Sequence, residues 1–194
     1  MDGLTLERLQ RDVTDFEVLH SEVYKKSYRE IMLFFQEVRD FEEKHLLLFA
    51  QLIYGSMPTM VNINLHNKDV LLNLLYKVSK GSILNIREIR VIKGYINNSL
   101  VGTSKLLHFL NPKVYAIWDS RIYRYITGKS TSYGIGNIGT YLEYLDGIKT
   151  IAEDKQYPGL HHSIAKHFDY EIQPSRVMEI IMFQTDRLSK KKIK

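Results

Sequence analysis

No cysteine occurs among the 194 residues of the chain. That absence excludes disulfides, a thiolate nucleophile, thiolate-bound zinc and iron–sulfur clusters, and it fits a reducing compartment. Proline is nearly as scarce, at four, and the eleven glycines are spread out, which leaves little room for a long linker. No apolar run approaches the roughly 20 residues a membrane helix needs; the greasiest, Leu46 to Tyr54, is interrupted by Gln51. The amino-terminal stretch MDGLTLERLQRDVTDFE is charged throughout and has no signal-peptide core. These gaps predict a soluble, cytoplasmic protein without a membrane partner.

What is present describes an ordinary globular chain. Apolar residues make up 44%, charged residues 25%, and the net charge is +5. That balance permits an anionic partner, although four of the lysines sit in the terminal run LSKKKIK. The length suits a single helical domain over 1–188, with two lobes sharing a cleft, and a solvated basic tail at 189–194. Apolar residues recur with a period near 3.6 almost everywhere, as in Tyr24, Tyr28, Ile31, Met32 and Phe35. Asp40, followed three residues on by Glu43, resembles a capping box for the next helix, which stops at Gly55. Further helices are predicted over about 67–80 (closed by Gly81), from Ile86 to Tyr95, over 138–154, 160–168 and 175–188. VYAIW, at 114–118, is the best strand-like run and only five residues long. The expected fold is all-α, with eight to ten short helices.

Two motifs suggest cofactors and neither holds. GIGNIG, from Gly134 to Gly139, has dinucleotide-loop spacing but follows no strand. His161, His162 and His167 do not share one helical face, and no glutamate completes a ligand set. No metal and no cofactor is expected.

The informative stretch runs from Asn97 to Ile126, NNSLVGTSKLLHFLNPKVYAIWDSRIYRYI. It reads as a turn at Leu100-Val101-Gly102, a helix with Lys105 in its first turn, an extended approach, and Asp119 at the mouth of another helix closed by Gly128. Amides at Gly102, Thr103 and Ser104 would point outward at a helix start, where they can hold a phosphate oxygen. A lysine partly removed from water and close to other cations becomes a nucleophile; Lys113, Arg121 and Arg124 are the local candidates. An aspartate at a helix start can steady a cation or take a proton. His108 lies one turn beyond Lys105, on the same face.

LVGTSKLL resembles the helix–hairpin–helix motif of base-excision DNA glycosylases, written Leu-x-Gly-Val/Ile-Gly-x-Lys-x-Ala, and IWDSRI resembles their aspartate-bearing segment. The resemblance covers about thirty residues and points to the 8-oxoguanine and endonuclease-III-like branches, among them those without an iron–sulfur cluster. It implies an all-α fold, DNA as partner, and excision of a damaged or modified base. On it Lys105 is the nucleophile at the sugar C1′, with lyase activity through a Schiff base, and Asp119 stabilises the developing positive sugar. Gly102, Thr103, Ser104, Arg121 and Lys113 would contact DNA, and His108, Phe109, Trp118 and Tyr54 are candidates to line a pocket for a flipped base. The alternative is a nucleic-acid-binding protein that uses the same hairpin without chemistry.

Overall fold

The computed structural model describes residues 3–13, 22–38, 40–56 and 63–191. Ten helices occur among them: α1 (Leu6–Val13), α2 (Glu22–Glu37), α3 (Glu43–Ser56), α4 (Lys68–Ser79), α5 (Ile86–Tyr95), α6 (Leu100–Leu110), α7 (Ser120–Thr127), α8 (Ile138–Ala152), α9 (Tyr157–Ala165) and α10 (Pro174–Lys191). No strand is found among the described residues, only a single bridge between Ile63 and Ile96. The all-helical expectation is met.

Local chemistry accounts for most boundaries. Asn85 accepts from the amides of Arg87 and Glu88 while Glu88 reaches back to Asn85, a complete capping box at α5. Asp119 caps α7 through Arg121 N–H at 2.8 Å and Ile122 N–H at 3.0 Å. At the far end Gly128, with φ 68°, takes the left-handed C-cap. α1 is an element that the charged amino-terminal sequence concealed; it buries Leu6 and Leu9 on one side.

Four expectations are corrected. α3 starts at Glu43 instead of after Asp40, and the Glu42 N–H is satisfied by His45 Nδ1 at 3.0 Å. VYAIW is irregular chain, not a strand. The turn assigned to Leu100–Gly102 lies upstream, at Asn97 and Asn98, whose φ angles are 49° and 53°. Finally, α10 continues to Lys191, so residues 189–191 are helix where a tail was expected, and 192–194 fall outside the described residues.

One hydrophobic cluster joins residues from Leu4 to Met182. α10 crosses it, touching α1, α7, α8 and α9. Val177, Ile180 and Ile181 are buried as their spacing predicts, whereas Phe183 is only half-buried, with the Arg121 guanidinium 4.9 Å above its ring. Within the same helix Arg176, Glu179 and Gln184 are buried too. These polar side chains inside the core define the site.

Candidate active site around Lys105

The site grows out of one awkward stretch of backbone. Tyr115, Ala116, Ile117 and Trp118 are all buried, yet they belong to no helix and pair with no strand. Each buried amide and carbonyl there costs several kcal/mol unless it finds a partner. Side chains from three helices supply them. From α6, His108 Nδ1 reaches Tyr115 O at 2.8 Å, and Ser104 Oγ accepts from Trp118 N–H at 2.9 Å. From α8, the hydroxyls of Tyr141 and Tyr144 donate to the carbonyls of Ala116 at 3.1 Å and Ile117 at 3.3 Å. From α10, the Glu179 carboxylate accepts from Ile117 N–H. The segment is thus held in place outside any helix, and it ends at the Asp119 cap.

His108 is fully buried, and burial drives its pKa down to about 3. It is therefore neutral. Because Nδ1 faces a carbonyl, that nitrogen carries the proton, so Nε2 accepts from the Tyr28 hydroxyl at 2.7 Å. The 3.9 Å approach of Glu179 to Nδ1 is then no ion pair. Glu179 is instead paired with Arg176, Nη1 to Oε2 at 2.9 Å, and the Arg176 guanidinium lies 4.6 Å over the Tyr28 ring.

Lys105 emerges at the edge of this cluster. Its side chain is carried by the first half of α6 and is only 8% exposed. Burial lowers its pKa from 10.5 to about 8; Asp119 and Glu179 oppose that shift and Arg176 adds to it. The ammonium therefore feels the N-cap carboxylate of α7 and the buried pair of α10 together. A lysine in this condition is poised for nucleophilic attack on an electrophilic carbon and for imine formation near neutral pH. The neighbouring carboxylate can take or return a proton.

The remaining sequence candidates part company. Gly102 and Thr103 do not offer their amides outward: Gly102 N–H donates to Ser99 Oγ at 3.0 Å and Thr103 N–H to Ser99 O at 3.0 Å. Ser104 is fully buried and committed to the 115–119 segment. His108, Phe109 and Trp118 are core residues instead of walls of an open pocket. Phe109 stacks on Phe35 with ring centroids 6.0 Å apart, and Trp118 donates through Nε1 to Ile135 O at 2.9 Å. Lys113 is exposed, and Arg121 is half-buried beside Asp186 at 3.6 Å. Arg124 grips the same Asp186, with Nε 2.9 Å from Oδ1. The side chain of Tyr54, like that of Tyr24, lies outside the described residues.

Sequence reasoning missed Arg176 and Glu179. The signal was a lone carboxylate inside the apolar run Val177-Met178-Glu179-Ile180-Ile181-Met182, with an arginine three residues earlier. A charge so placed is buried with the face it interrupts, and needs a partner. Among the described residues no group of three or more potential metal ligands comes together. No family model, no curated protein and no solved structure matches the chain, so the chemistry of Lys105 and its neighbours carries the functional reading.

Proposed function

We propose that the protein is a DNA glycosylase with abasic-site lyase activity, in which Lys105 is the nucleophile and Asp119 its partner. One observation carries the reading: a lysine sequestered in α6, its pKa depressed to about 8, lies within electrostatic reach of an aspartate that caps the next helix. Lys105 in its neutral form attacks the sugar C1′ and displaces the base. Asp119 steadies positive charge at the sugar and relays one amine proton to the sugar ring oxygen, whose bond to C1′ breaks as the imine forms, while the departing base takes its proton from water. The α5–turn–α6 unit would approach DNA with Asn97 and Asn98 at its tip. The Gly102 and Thr103 amides, being internally bonded, take no part in holding phosphate, a role left to exposed Lys113 and half-exposed Arg121.

Borohydride trapping on duplexes carrying candidate lesions or an abasic site tests the proposal. Wild type should give a covalent adduct whose rate rises with pH through about 8, the value set by Lys105. Lys105→Ala should give none, and Asp119→Asn should slow base release by about 10²–10⁴-fold. Base release at the wild-type rate by both variants would refute the assignment.

A second reading, a helical nucleic-acid-binding protein without chemistry, draws on α5, where Arg87 and Arg90 are exposed and Lys93 is half-exposed. It predicts steeply salt-dependent binding to duplexes with no base release from any of them.

A further inference from the structure

We infer that Glu179 is the positioning residue of the Lys105–Asp119 pair: it holds the 115–119 segment through Ile117 N–H and supplies negative charge that the Lys105 ammonium faces. The inference rests on the reading of Lys105 and Asp119 as the reacting pair, and it assigns a role to a buried group that the mechanism above does not use. Glu179 is 1% exposed, and both carboxylate oxygens are engaged, one by Ile117 N–H and the other by Arg176 Nη1 at 2.9 Å. Such a buried charge is costly and, as a structural device alone, replaceable by apolar packing. This one is attached two residues before Asp119, on the backbone that delivers that aspartate to the mouth of α7.

The surroundings couple the carboxylate to the charges of Arg176 and Asp119. Facing it are Arg176 on its own helix, neutral His108 from α6, Asp119, and the hydroxyls of Tyr141 and Tyr144 from α8. Burial raises the Glu179 pKa to about 7, against the pull of Arg176 and of Ile117 N–H, with Asp119 pushing it further up. Above that pH it is ionised, in the range where Lys105 titrates, and its charge favours the ammonium form. Arg176 acts on Lys105 in the opposite sense. Glu179 and Arg176 thus form a balance, one arm holding the backbone that leads to the aspartate and both adjusting an amine whose basicity burial lowers.

The test reads Lys105 directly and needs no substrate. Lysine labelled with ¹³C at Cε is titrated by NMR in the full-length protein, the Lys105 resonance being identified by its loss in Lys105→Arg. Glu179→Gln keeps an acceptor for Ile117 N–H but removes the charge; the Lys105 midpoint should fall by roughly 0.5–1 pH unit. Where that variant does not fold, Glu179→Asp replaces it, keeping the charge but withdrawing it by one methylene, and the midpoint should fall by less. A midpoint unmoved in the folded variant, with only the melting temperature lowered, would make Glu179 a purely structural group and overturn the inference. Failure of the glycosylase reading looks different: wild type would release no base while the Glu179-dependent midpoint persisted.

Discussion

Lys105 is a cation that the fold makes easy to discharge. Its unfolded pKa is near 10.5 and its folded value about 8. Between those limits the unfolded chain binds more protons, so stability rises with pH from about 8 to 10.5 and is lost again as pH falls through that window. The Lys105→Met variant removes the buried charge. It should melt above wild type at pH 7, by about 1–3 kcal/mol, and the gap should close as pH approaches 10.5; scanning calorimetry at several pH values checks this. A residue kept at a cost to stability fits the role proposed for Lys105. Glu179 and His108 pull in opposite directions from each other. The raised carboxylate contributes stability below about 4.5 that is lost by pH 7, whereas neutral His108 contributes above 6.5 and is lost toward pH 3.

At the level of elements, the 115–119 segment is the unusual part. Removing the Ser104 hydroxyl takes the acceptor from Trp118 N–H, in a place that water does not reach. Ser104→Ala should therefore cost about 1–3 kcal/mol in chemical denaturation, although serine to alanine is a small change in volume. The sequence made the helices legible wherever caps and apolar period agreed, as at Asp119 and Gly128. It misjudged VYAIW because a buried extended chain has the same residue preferences whether its hydrogen bonds go to a strand or to side chains distant in sequence. Gly102 was misread for a related reason. Glycine suggests a turn, but here it sits inside α6, because a Cβ at that position would lie 2.8 Å from Ile96 Cγ2. Lys105 and Asp119, whose charges interact, were picked out as candidates from one motif. Glu179 was not: Arg176 stands three residues before it, but the backbone it holds, at Ile117, is 62 residues away in the chain.

Across the whole molecule, α10 ties these parts together. Its Asp186 receives Arg124 through two nitrogens and lies 3.6 Å from Arg121, fastening α7 from the face opposite its buried residues. Both partners of the Arg124–Asp186 pair are about 90% shielded from solvent, so Asp186→Asn should lower stability by about 2 kcal/mol, measured by urea unfolding. A matching loss in Arg124→Gln, with the double variant no worse than either, would assign that cost to the pair. Ile117 and Glu179 stand 62 residues apart, as do Arg124 and Asp186. During synthesis at ~5–20 residues per second, those intervals last about 3–12 s. For that time the nascent chain carries Lys105 and Asp119 without the carboxylates that fix the 115–119 segment and α7. A newly made chain thus orders the surroundings of Lys105 and Asp119 only when α10 docks.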